Sequence, residues 1–148
     1  MNRRTMLRAL PPLVVGLGGC IGGSSGGGGD GDPPRVTDAT LRDTGRCSAS
    51  ETETASVETG DATVEVRGCI TGPNGCAVAS LGSATVDGDV LAVVVTTERD
   101  APPNAACTEA LVYRGYEATV TVDGGLPASV RVVHDAAGGR KTVVEAPL

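Results

Sequence analysis

Apolar and polar residues alternate with a period of two through most of the chain. Ala62, Val64 and Val66 alternate with Thr63, Glu65 and Arg67. Ala118, Val120 and Val122 alternate with Glu117, Thr119 and Thr121, and Val130, Val132 and His134 with Ser129, Arg131 and Val133. Successive side chains of a strand point to opposite faces, so each segment predicts a half-buried strand. Val90 to Val95 is apolar on both faces, which predicts a central strand. Ala55 with Val57 suggests an earlier strand, and Val143 with Val144 a last one. Turn residues stand where hairpins need them, at Gly72-Pro73-Asn74-Gly75, Asp87-Gly88-Asp89, Asp123-Gly124-Gly125 and Ala137-Gly138-Gly139. The pattern predicts an all-β fold, an antiparallel, immunoglobulin-like β-sandwich of about seven or eight strands. The stretch from Glu98 to Ala106, with Pro102-Pro103, is the longest irregular connection expected.

The start of the chain follows a different rule. Asn2-Arg3-Arg4-Thr5-Met6-Leu7-Arg8 has the form of a twin-arginine export signal, with no acidic residue before Asp30. Ala9 to Leu17 is apolar but broken by Pro11 and Pro12. It is too short to span a ~30 Å hydrocarbon core, which needs ~20 apolar residues. Leu17, Gly18 and Gly19 then lead into Cys20 as a lipobox. These features predict export, cleavage before Cys20 and lipid on its sulfur; two acyl chains would anchor stably where one would not. The expected location is the outer face of the cell membrane. Ile21 to Pro34 is almost entirely glycine, serine, aspartate and proline, which cannot bury enough surface to order itself. As a flexible coil its 14 residues span ~20 Å. The expected organisation is a signal at 1–19, a lipidated cysteine and linker at 20–35, and one sandwich domain at 36–148.

Charge narrows the class. Three of the 12 basic residues lie in the signal, leaving nine against 18 acidic groups, a net charge of −9 after cleavage. Lys141 is the single lysine, Phe and Trp are absent, and Tyr113 and Tyr116 are the only aromatics. An ordinary acidic secreted protein shares the acidity. One lysine, small apolar side chains and twin-arginine export together point to a protein built for very high salt, where carboxylates keep the surface hydrated. No basic stripe exists to meet phosphates, so nucleic acid is not an expected partner.

With Cys20 lipidated, Cys47, Cys69, Cys76 and Cys107 remain, an even number for an oxidising compartment. Two disulfides are expected, with three pairings open. If Pro73-Asn74 centres a hairpin, Thr71 faces Cys76, and Cys69 and Cys76 are diagonal neighbours, a poorer geometry for a bridge than direct opposition. Strand phase therefore favours Cys76–Cys107 with Cys47–Cys69. The spacing is not that of a zinc site, since no CxxC occurs and the lone His134 lies far downstream. No metal or cofactor is expected.

The run Gly68-Cys69-Ile70-Thr71-Gly72-Pro73-Asn74-Gly75-Cys76, followed by Gly88 to Val95, Ala106-Cys107, Tyr116 to Val120 and Gly125 to Asp135, resembles a family of uncharacterised haloarchaeal lipoproteins exported by the twin-arginine route. The resemblance covers most of residues 45 to 135. Members are similar to this chain at Cys47, Cys76 and Cys107 and carry a further cysteine near the position of Ala110, where this chain has Cys69 instead. The resemblance implies a location and a fold, and no activity.

Candidate chemistry is sparse. His134 and Asp135 are neighbours in a strand and point to opposite faces, so Asp135 cannot orient the imidazole as a triad requires; His134 is expected to cap the apolar face. Ser80, Ser83 and Ser129 lack a nucleophile-elbow context. Asp87-Gly88-Asp89 offers too few oxygens for calcium and reads as a turn. Glu51, Glu53, Glu58 and Asp61 read as a solvated acidic face. One or both tyrosines are expected in the core, the alternative being anchors of a binding patch. The sequence thus suggests a non-enzymatic, lipid-anchored surface lipoprotein, a binding or structural module of the envelope. The alternative is an accessory subunit of an exported or membrane enzyme or transporter, with an unknown envelope protein as partner.

Overall fold

In the computed structural model, residues 32–148 are described. The expected export signal with Arg3 and Arg4, the expected lipobox Leu17, Gly18, Gly19 and Cys20, and most of the expected linker lie outside them. The described residues form a β-sandwich of eight strands: β1 Arg35–Arg46, β2 Thr54–Thr59, β3 Thr63–Gly72, β4 Ala77–Asp87, β5 Val90–Arg99, β6 Val112–Asp123, β7 Ser129–Ala136 and β8 Gly139–Pro147. One sheet has the order β1-β6-β3-β2, the other β4-β5-β7-β8.

The alternating residues build the core. Val64, Val66 and Ile70 from β3 and Tyr116, Ala118, Val120 and Val122 from β6 face Leu91, Val93 and Val95 from β5 and Val130 and Val132 from β7. Each fully buried valine or leucine contributes ~1.5–3 kcal/mol, so a core of small side chains depends on many of them. Val90-Val95 forms the central strand β5, paired on both edges. Only Leu91, Val93 and Val95 are fully buried, while Val90, Ala92 and Val94 are half-buried on the outer face.

Three features depart from the pattern read off the sequence. Gly72-Pro73-Asn74-Gly75 and Asp123-Gly124-Gly125 do not close hairpins, because β3 and β4, and likewise β6 and β7, belong to different sheets. The pairing of the antiparallel sandwich is broken once, since β5 and β7 run parallel. Between them the chain visits the other sheet as β6; two successive reversals bring β7 back beside β5 in the same direction. Finally, β1 has no clean alternation, because register shifts at Val36/Asp38 and Asp43/Gly45 interrupt it. The hairpins at Asp87-Gly88-Asp89 and Ala137-Gly138-Gly139 form as expected, joining β4 to β5 and β7 to β8.

Both disulfides form, Cys47–Cys69 and Cys76–Cys107, with Cα–Cα separations of 6.1 and 5.4 Å. The hairpin premise used to weigh them fails, yet the pairing holds for another reason. The β1–β2 connection crosses the end of β6 and β3, where Cys47 meets Cys69 of β3. The long β5–β6 connection folds over the β3–β4 crossover. There Asp100 N–H donates to Cys76 O (2.9 Å) and Gly75 N–H to Thr108 O (2.9 Å), bringing Cys107 to Cys76.

Candidate functional site

One polar constellation interrupts the aliphatic core. Glu53 ends the connection that Cys47–Cys69 pins to β3, and its N–H donates to Cys69 O at 2.7 Å. It is the one non-glycine residue with a positive φ among the described residues, at 59°. That left-handed turn swings its side chain inward between the sheets, away from the solvated face on which Glu51, Glu58 and Asp61 remain exposed. The expectation that all four acids form one solvated face is thus corrected at Glu53. Its carboxylate accepts from the Thr71 amide at 3.1 Å and from His134 Nδ1 at 2.9 Å.

His134 sits on the inner face of β7, in phase with Val130 and Val132, and its side chain is fully buried. Its Nε2 lies 2.7 Å from the Tyr116 hydroxyl, and the two rings meet edge to face with centroids 5.5 Å apart. Tyr116 comes from β6 of the other sheet, cross-strand from Gly68. A Cβ at Gly68 would stand 2.5 Å from the phenol oxygen, so the tyrosine needs a glycine there to reach across the core.

Charge assigns the protons. Burial pushes the Glu53 carboxyl up, but the hydrogen bonds from His134 and Thr71 outweigh it and hold the group below its usual range. Burial pushes His134 below the usual histidine range, and the pull of Glu53 offsets this only in part. The two directions conflict if the pair is read as a full ion pair. Complete burial of the imidazole decides for a neutral ring beside an anionic glutamate. Nδ1 then carries the proton, and Nε2 accepts from Tyr116. Burial raises the Tyr116 phenol well above its ordinary value, with a smaller contribution from the Glu53 charge, so the hydroxyl stays a donor. Every polar atom in the chain Tyr116–His134–Glu53–Thr71 has a partner.

The order hydroxyl, imidazole, carboxylate is that of an acyl-transfer triad. Here the hydroxyl is a phenol only 2% exposed, committed to the imidazole and hard to ionise. A nucleophile needs reach and an accessible anion; this one has neither, so the arrangement ties two sheets together.

The other predicted residues scatter. Asp135 points outward and pairs with Arg140 at 3.4 Å. Ser80 and Ser83 stand on β4, and Ser129 starts β7. Tyr113 is half-buried, unlike Tyr116. Among the described residues no group of three or more His, Cys, Asp or Glu side chains could hold a metal ion, and no helix is long and apolar enough to cross a membrane.

A second polar tie escaped the sequence pattern. Asp43 of β1 accepts from Arg114 Nε (3.0 Å) of β6 and from the Ala79 amide (2.8 Å) of β4 in the opposite sheet. Burial raises its carboxyl, but the bonds from Arg114, Ala79 and Gly45 outweigh this and hold it below the usual range.

Among the described residues, cavities open at the end of the sandwich where β1 finishes. The largest, about 400 Å³, lies over the Cys47–Cys69 disulfide and is lined by Arg46, Ser56, Arg67 and Gly115 among others. A smaller one of about 170 Å³ is lined by Glu53, Thr71, Leu111, Lys141 and the hairpin Ala137-Gly138-Gly139. The fold and this site define a small, disulfide-linked β-sandwich with a hydrogen-bonded polar chain through its core. Comparison with protein-family models, with curated proteins and with solved structures found no match.

Proposed function

We propose that this chain is a lipid-anchored, non-catalytic binding module of the cell envelope. It leaves the cell by the twin-arginine route, is cut before Cys20, and is held at the outer face of the membrane by lipid on that cysteine. The observation that carries the reading is the pairing of Arg3-Arg4 with the lipobox Leu17-Gly18-Gly19-Cys20 within the first twenty residues. Two disulfides suit an oxidising compartment outside the cytoplasm. The sealed phenol of Tyr116 supports a non-catalytic role.

Fractionation of cells expressing the full chain tests this. Replacing Arg3-Arg4 with a lysine pair should strand precursor in the cytoplasm. Cys20→Ser should give uncleaved or released protein. A Cys20→Ser form that is still processed and membrane-bound would sink the anchor. The purified protein should hydrolyse no generic ester, peptide or phosphate substrate; a hydrolytic rate abolished by His134→Ala would overturn the non-catalytic reading.

A further inference from the structure

We infer that the 170 Å³ cavity between Glu53, Leu111 and Lys141 binds a small zwitterion with an aliphatic body, the chemistry of an aliphatic α-amino acid. This deepens the binding-module reading and rests on it. The cavity is smaller than the ~300–1,000 Å³ of sites for drug-sized ligands, so its occupant must be small.

The wall of the cavity selects the charge pattern. Lys141 Nζ lies 3.9 Å from Glu53 Oε2, an ion pair too long for a hydrogen bond, and the lysine side chain is 56% exposed. Both charged residues line the cavity, and each has hydrogen-bonding capacity that their long pair leaves unused. A simple cation entering to meet Glu53 is repelled by Lys141, and a simple anion meeting Lys141 is repelled by Glu53. A molecule carrying both charges a few bonds apart satisfies both walls, its ammonium on Glu53 and its carboxylate on Lys141.

The apolar part has its own partner. Leu111 is the exposed large hydrophobic side chain of the described residues, 56% exposed, and it lines this cavity. The opposite wall is the Ala137-Gly138-Gly139 turn, where Cβ atoms at Gly138 and Gly139 would meet nothing within 4 Å. Glu53 is preorganised: its strained φ of 59° and its bonds to Thr71 and His134 fix the carboxylate before any ligand arrives. The cavity lies at the end of the sandwich opposite the start of β1, where Arg35 pairs with Asp123.

The full chain in detergent micelles allows a direct test, because His134 is the chain's sole histidine and bonds Glu53 directly. Its imidazole NMR signals are followed during titration with L-leucine, 3-methylbutylamine and 4-methylpentanoate. L-leucine should shift them saturably, and the two singly charged analogues should bind at least about tenfold more weakly. Lys141→Met removes one charge from a half-exposed position outside the core, so it leaves the fold intact. It should reverse the preference toward the amine, and Leu111→Ala should weaken L-leucine alone. Equal responses to all three probes, no response to L-leucine, or an unchanged preference in Lys141→Met would each overturn the inference. The membrane anchoring of the same preparation is read separately by fractionation, so a failure here leaves the lipoprotein reading standing or falling on its own result.

Discussion

The Tyr116 hydroxyl and the His134 Nε2 lie 2.7 Å apart, one from each sheet, in the middle of an otherwise aliphatic core. A buried acceptor left without its donor costs ~1–3 kcal/mol. Tyr116→Phe keeps the ring and strands Nε2, so it should destabilise by about that amount in denaturant unfolding. Gly68→Ala should cost about as much by another route, since its Cβ would stand 2.5 Å from the phenol oxygen and 2.6 Å from the Thr54 carbonyl. The double variant should be less destabilised than the sum of the two, because removing the hydroxyl relieves one of the clashes. Strict additivity would show that the clash at Gly68 comes from the Thr54 carbonyl and the ring carbon Cζ, 2.7 Å away, rather than from the hydroxyl.

Acid should unfold the domain in two stages. His134 has its folded pKa below the ordinary 6.5, so between those values the unfolded chain binds the extra proton. Its contribution is full above 6.5 and is lost as pH falls through that window. Glu53 and Asp43 are also held below their ordinary 4.5 and 3.8, so their contributions are full above those values and disappear as pH falls further. Melting temperature should therefore decline from about pH 6.5 downward and fall more steeply below about pH 4.5. His134→Gln should flatten the upper part of the curve and leave the lower part. A wild-type curve level down to pH 5 would contradict the neutral buried imidazole.

Much of the sandwich is legible because half-buried strands write their two faces into the sequence. Val64/Val66, Ala118/Val120/Val122 and Val130/Val132 all face the core. The alternation of His134 with Asp135 separates an inward imidazole from an outward carboxylate. Which sheet a strand joins is not written locally. Gly72 to Gly75 and Asp123 to Gly125 mark reversals, but a hairpin and a crossover between sheets use the same turn residues. β1 is hidden by its two register shifts, which break the period of two. Glu53 is hidden because a left-handed backbone at a non-glycine residue turns an apparently solvated acid inward, and only its distant partners His134 and Thr71 justify that conformation.

Asp43 bridges the sandwich along its edge, and its loss should be costly. Removing the carboxylate strands the Arg114 guanidinium and the Ala79 amide together. Breaking a buried pair from one side costs ~3–5 kcal/mol. These side chains are 22% and 17% exposed, so solvent offsets part of it and about 2–3 kcal/mol is expected for Asp43→Ala. Asp43→Asn keeps an acceptor for Ala79 and should cost less. Equal losses in the two variants would assign the effect to the charge alone.

The two disulfides should contribute to stability by similar amounts. Cys76–Cys107 spans a sequence separation of 31 and Cys47–Cys69 one of 22. The chain-entropy model gives ~3–4 kcal/mol for loops of this length. Peptide mapping without reductant should recover both bridges, and denatured protein should show no free thiol beyond any on unlipidated Cys20. Reduction of Cys47–Cys69 has a second effect, because that bridge pins the segment that delivers Glu53 to His134. It should perturb the His134 NMR signals, whereas Cys76→Ser with Cys107→Ser should leave them nearly unmoved. The reverse pattern would separate Glu53 from the pinned connection.

Salt should stabilise this domain rather than weaken it. Residues 32–148 carry 17 acidic groups, the 18 of the chain less Asp30, against nine basic ones. Some of these charges pair at the surface, as in Arg42–Glu117 at 3.2 Å and Arg131–Glu145 at 2.7 Å. Exposed pairs contribute only ~0–1 kcal/mol each, so screening them loses little. The unpaired excess of carboxylates repels itself at low ionic strength, and at 1 M the Debye length of ~3 Å removes most of that repulsion. Strongly hydrated salts also favour burial of a core built from Val, Ala and Leu. Asp43–Arg114, largely shielded from solvent, is screened least, and it holds in place the carboxylate that accepts from the Ala79 amide of the opposite sheet. The melting temperature should therefore climb steadily from low salt to molar salt, with a larger rise in sulfate than in chloride at equal ionic strength. A midpoint insensitive to salt would show that carboxylate repulsion does not limit this fold.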